Sequence, residues 1–107
     1  FTRGDPEKIK VMQEVKVTVF EAGRSEGYIQ SYPESPSLKD MQELVGGYIQ
    51  LIPLSDSEYM VCNEEGLINN LPVNDIANEI LKVQNPHFAN FNIIVGNVFI
   101  IKIKDFE

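Results

Sequence analysis

The sequence predicts an α+β fold: a single domain built on a mainly antiparallel, curved sheet of about six strands with two short helices. Three observations predict it. Short runs of β-branched and aromatic residues recur, the first with strict period-two alternation. Two helix-like segments carry capping residues at both ends. The strands come in groups rather than alternating with helices.

The elements follow in chain order. Residues 1–13 are polar and mixed, and read as a lead-in or a short helix from Pro6, ahead of a domain spanning 14–107. In residues 14–21, Val15, Val17 and Val19 alternate with Lys16 and Thr18, the pattern of a half-buried strand. Gly23 to Gly27 forms a turn, and residues 28–32 a second strand that Pro33 and Pro36 end. Ser37 then opens the best-marked helix, with Asp40 at the capping-box position and Gly46-Gly47 as the stop. Leu38, Met41, Leu44 and Val45 give that helix one apolar face.

Residues 48–54 and 58–63 read as paired strands joined by Ser55-Asp56-Ser57. Asn63-Glu64-Glu65-Gly66 is a turn whose glycine can take a positive φ. Asn74, or Asp75 beside it, caps a second helix carrying Ile76, Ala77, Ile80, Leu81 and Val83, and Asn85-Pro86 ends it. In the tail, Ile93-Ile94-Val95 and the run from Val98 to Ile103 flank Gly96-Asn97 and read as a tight hairpin. Such a hairpin could pack internally or pair with a second copy along its edge, so a homodimer is one expectation.

At 107 residues there is room for one core, and the chain is 43% hydrophobic and 23% charged, ordinary for a folded domain. No run approaches the roughly 20 apolar residues of a membrane-spanning helix, and the first residues do not read as a signal peptide. The single cysteine, Cys62, rules out an internal disulfide and fits a reducing cytoplasm.

Charge is the most informative bulk property. The net charge is −7, yet between Lys39 and Lys82 there is no Lys or Arg, while Asp40, Glu43, Asp56, Glu58, Glu64, Glu65, Asp75 and Glu79 fall in that stretch. An acidic field of this kind disfavours direct binding to nucleic acid or to anionic membrane and favours a basic partner. A solvated acidic face is the plain structural reading of the same residues.

Chemistry finds little foothold. A nucleophile needs a base within reach, and Cys62 on a β run and His87 after Asn85-Pro86 are not tied together in sequence. One His and one Cys cannot supply a structural zinc site. The acids around Asp56, Glu58, Glu64 and Glu65 lack EF-hand spacing. Gly46-Gly47 follows a helix, whereas phosphate loops precede one. Tyr28, Tyr32, Tyr48 and Tyr59 fall in predicted strands without a basic groove around them, which favours a partly buried core edge over a base-stacking surface. No cofactor and no enzymatic activity are expected.

From Leu44 onward an ordered set of segments resembles domain-of-unknown-function family 3846. They are the run from Leu44 through Gly46-Gly47 to Leu54, Val61-Cys62-Asn63-Glu64-Glu65-Gly66, Leu71-Pro72-Val73-Asn74, and the run from Ile93 through Gly96-Asn97 to Ile100. The early strand from Val15 to Gly23 fits the same family's start. The resemblance implies an accessory protein of phages, plasmids or conjugative elements and assigns no activity. Asn-Glu-Glu-Gly and Leu-Pro-x-Asn read equally as a shared surface site or as structural devices, a glycine turn and the lead into a helix.

The leading expectation is a non-enzymatic protein of a mobile element that binds and inhibits a host nucleic-acid-processing machine, such as a CRISPR effector or restriction enzyme. An acidic face can occupy a cationic groove reserved for nucleic acid. Glu58, Glu64, Glu65, Asp75 and Glu79 are the expected contact residues. A different expectation is a sponge for a nucleotide second messenger, which would need Arg24, Lys16, Lys102 or Lys104 at its pocket. The third is a structural or regulatory module of element maintenance with a protein partner.

Overall fold

A computed structural model describes residues 14–106, and its sheet consists of two hairpins joined by a lone strand. In the first hairpin, β1 (Val15–Phe20) pairs antiparallel with β2 (Tyr28–Tyr32). In the second, β3 (Ile49–Pro53) pairs antiparallel with β4 (Glu58–Asn63). β5 (Val98–Lys102) lies between the hairpins, antiparallel to both, so that Phe99 faces Val19 on one side and Val61 on the other. The order is β2-β1-β5-β4-β3, one open antiparallel sheet in a single α+β domain.

Helices cover both faces. α1 (Leu38–Val45) is fixed by the capping box the sequence predicts: Asp40 N–H donates to Ser37 Oγ at 3.0 Å and Ser37 N–H to Asp40 Oδ2 at 3.1 Å. Gly46 ends it in the left-handed conformation, φ 81°, which glycine adopts without strain. Met41 and Val45 of α1 pack on Val17, Val19, Val61, Phe99 and Ile101. On the opposite face, Ala77 and Leu81 of α2 (Asp75–Gln84) pack on Ile52, Met60, Cys62 and Val98.

The pattern of each strand reports how far the helices reach. β4 and β5 are apolar on both sides, with Met60, Val61, Val98, Phe99 and Ile101 all under 1% exposed, because α1 lies over one face and α2 over the other. β1 alternates, with Val17 and Val19 buried and Lys16 exposed, because α2 does not extend over its second face. The foot of that face stays open around Lys16 and Lys102.

Three features depart from the sequence reading. The sixth strand is absent: Ile93–Val95 forms no hairpin with β5, whose two edges are already taken by β1 and β4. The backbone of Ile94 is instead held by the Asn78 carboxamide, which accepts from Ile94 N–H at 2.8 Å and donates to its carbonyl at 2.9 Å. Val95 keeps a single bridge to Val73. β5 therefore offers no edge to a second copy; among the described residues the outer strands of the sheet are β2 and β3.

Secondly, a third helix follows the two that the sequence predicts. Asn85 ends α2 and caps α3 (Pro86–Phe91), accepting from Phe88 N–H at 3.3 Å, and Pro86 occupies a first-turn position that needs no N–H partner. His87 lies in this helix. Thirdly, Tyr48 precedes β3 rather than belonging to it and is 62% exposed. The predicted lead-in, residues 1–13, lies outside the described residues.

Candidate functional site

Where β3 and β4 reach their Asn63 end, the α2-covered face of the sheet opens into a cleft of about 280 Å3. Gln50, Ile52 and Cys62 line it from the sheet, Phe88 from α3, and Ile93 and Ile94 from the segment that fails to become a strand. The remaining side is the turn that leaves β4, with Glu64, Leu67 and Ile68.

Asn63 sets that turn. Its side chain is 7% exposed, donates to the Val45 carbonyl at 3.2 Å and accepts from Glu65 N–H at 2.7 Å, closing a local side-chain-to-backbone turn. Glu64 N–H continues the ladder to the Tyr48 carbonyl at 2.8 Å. Beyond it, Gly66 N–H bonds to Asn63, Asn69 N–H to Glu65, Asn70 N–H to Leu67 and Leu71 N–H to Gly66, all carbonyl acceptors. Asn70 takes a positive φ of 57°, a conformation asparagine tolerates.

The loop is thus internally bonded, and at its tip it holds Leu67 63% and Ile68 79% exposed. Ile93, across the cleft, is 49% exposed. Apolar side chains held in water by an ordered loop, beside a concave surface, mark a contact site more than isolated exposed residues do. Sequence reasoning passed over this pair. The signal was present: two large aliphatic residues between Gly66 and Asn69-Asn70, inside a stretch otherwise made of turn residues.

The five acids singled out from sequence do not share one surface. Glu58 begins β4, in register with Lys102 of β5, while Glu64 follows its last residue. At about 3.3 Å per residue the two are roughly 20 Å apart along the strand. Asp75 sits in the first turn of α2, where a carboxylate complements the helix dipole, and Glu79 pairs with Lys82 at 3.5 Å. Glu64 and Glu65 are both exposed, and their carboxylates make no hydrogen bond or ion pair among the described residues. Of the five, only Glu64 lines the cleft, with Glu65 next to it in the loop.

Cys62 points its thiol toward Gln50 Oε1, 3.9 Å away, and burial pushes its pKa from 9.0 up to about 11. His87 stands on α3 with its ring edge-on to Phe91, centroids 5.5 Å apart. Among the described residues no three His, Cys, Asp or Glu side chains converge on a metal position, and no helix is long and apolar enough to cross a membrane.

The two motifs resolve in part. Asn63 supplies the turn just described. Asn74, 1% exposed, donates to the carbonyls of Phe20 and Gly96, both at 2.9 Å, and accepts from Ala77 N–H at 3.0 Å as the cap of α2. Both asparagines have demanding structural roles; of the other motif residues, Glu64 and Glu65 are exposed, and so is Val73, at 46%.

The model of a protein family described as "Domain of unknown function (DUF3846)" matches residues 15–107. Neither a curated protein nor a solved structure matches the chain.

Proposed function

Since the chain belongs to the domain-of-unknown-function family DUF3846, we propose that it is a non-enzymatic binding protein whose contact surface is the Glu64–Ile68 loop and the cleft behind it. The observation that carries this reading is the loop itself: Leu67 and Ile68 are 63% and 79% exposed on a hydrogen-bonded turn, beside two carboxylates without an ion pair among the described residues. Protein interfaces combine apolar anchors with a charged rim in this way.

The partner this surface fits presents an apolar side chain among lysines and arginines. The nearest stretch of chain supports that sign, because no Lys or Arg occurs between Lys39 and Lys82. Together with the mobile-element setting that the family resemblance suggests, we assign it the role of blocking a host nucleic-acid-processing machine of the CRISPR or restriction type. Such a machine carries a cationic groove that an acidic protein can occupy.

The test is a pulldown with the tagged chain from host lysate at low and high salt, with mass spectrometry of the bound fraction. A nuclease or effector complex should bind at low salt, leave at high salt, and fail to bind Glu64→Lys/Glu65→Lys. Leu67→Asp/Ile68→Asp should abolish capture at either salt. Undiminished capture by the charge-reversed variant, or an empty bait, would remove the proposal.

A further inference from the structure

Six Lys and Arg side chains lie among the described residues: Lys16, Arg24, Lys39, Lys82, Lys102 and Lys104. Arg24 is engaged by Glu21 at 3.6 Å and Lys82 by Glu79 at 3.5 Å. Of the remaining four, Lys16, Lys102 and Lys104 line a single groove of about 610 Å3 at the foot of β1 and β5, far along the sheet from the cleft. None of the three has an ion-pair partner among the described residues.

Their convergence is built into the register. Thr18 of β1 lies opposite Ile100 of β5. Lys16, two residues before Thr18, and Lys102, two after Ile100, therefore project from the same face of neighbouring strands. This is the face that α2 leaves uncovered. On its other side Lys102 lies in register with Glu58 of β4, without a salt bridge between them among the described residues. An anion seated between Lys16 and Lys102 would make a charge-assisted contact with each.

Glu14, Glu34 and Asp105 line the same groove. They would repel a nucleic-acid strand, whose charge runs on past the lysines. They would accept hydrogen bonds from the hydroxyl or amino groups of a small molecule. The volume falls within the roughly 300–1,000 Å3 of small-ligand sites. We infer that this groove binds a small phosphorylated ligand with hydroxyl donors, a mononucleotide in class: its phosphate sits between Lys16 and Lys102, and its hydroxyls face the carboxylates. The inference is independent of the protein-binding loop.

The experiment is a titration of the isotope-labelled chain with adenosine monophosphate, followed by backbone amide shifts. Adenosine and inorganic phosphate serve as comparison probes. Saturable shifts should appear around residues 14–16 and 102–105, with a Kd below about 1 mM. Lys16→Gln/Lys102→Gln should weaken binding at least about tenfold, as expected for loss of charge-assisted hydrogen bonds. Lys39→Gln, on the helix across the sheet, should leave binding unchanged. All three lysines are exposed, so thermal melts of the variants should match the parent. No saturable shift with either phosphate probe, adenosine binding as tightly as its monophosphate, or unaltered affinity in the double variant would each overturn the assignment.

Discussion

Asn74 donates from Nδ2 to the carbonyl of Phe20 at 2.9 Å, tying the cap of α2 to the end of β1, 54 positions earlier. The same nitrogen donates to the Gly96 carbonyl, just ahead of β5, at 2.9 Å. One buried carboxamide thus fixes where a helix, an outer hairpin and the central strand meet.

Replacing it should be among the most disruptive single changes in the chain. Asn74→Ala removes the cap of α2 and leaves the Phe20 and Gly96 carbonyls and the Ala77 N–H without this partner, at a cost of about 3 kcal/mol. Asn74→Asp keeps the cap acceptor but sets a carboxylate against two carbonyls, so it should be at least as damaging. Urea unfolding monitored by circular dichroism would measure both. A loss below about 1 kcal/mol for Asn74→Ala would show that the network contributes little.

Gly96 is held chiefly by its conformation, and the methyl end of Leu71 would have to move to admit a Cβ. Its φ is 77°, its N–H bonds to the Pro72 carbonyl at 2.7 Å, and an added Cβ would stand 2.7 Å from Leu71 Cδ1. Gly96→Ala should therefore destabilise the fold by about 2 kcal/mol. Adding Leu71→Ala to it should relieve the clash but leave the cost of the positive φ. A double variant no more stable than the sum of the two single changes would show that the steric part is absent.

Cys62 makes stability depend on alkaline pH. Burial holds its thiol protonated up to about 11, whereas the exposed thiol of the unfolded chain ionises near the ordinary 9.0. Between those values the native state binds the extra proton, so stability falls as pH rises. The thiol's share of that loss levels off above about 11 and amounts to about 2–3 kcal/mol. Cys62→Ala should flatten this part of the profile relative to the parent. Identical slopes from pH 8.5 to about 11 in the two proteins would contradict the assignment.

Much of the architecture was legible in the residues. Ser37, Asp40 and Gly46 mark both ends of α1 because capping satisfies local backbone groups, and local chemistry is written locally. The alternation in β1 gave its buried face correctly. The tail was misread for the converse reason. Ile93-Ile94-Val95 has the composition of a strand, but Asn78 reaches across from α2 to take both backbone groups of Ile94, and nothing near residue 94 announces that. Similarly, acidic residues could be counted but not gathered. Glu58 and Glu64 are close in sequence and stand at opposite ends of one strand, so composition overstated the surface they share. The exposed pair Leu67-Ile68 was readable as an oddity, yet only the bonded loop shows that these side chains have no core to enter.

The place of β5 bears on how the chain is made. It is the last of the five strands to be synthesised and occupies the middle of the sheet. Until it has emerged from the ribosome, the two hairpins each present a bare inner edge, on β1 and on β4, with Val19 and Val61 still lacking Phe99 between them. Isolated two-stranded hairpins are marginal in water, so a nascent chain stopped before Val98 holds no sheet to speak of. Those inner edges are open to any extended segment in the meantime. A chain stopped before Val98 would therefore be a substrate for proteases rather than a smaller version of the domain, because the strand that completes both inner edges is the one it lacks.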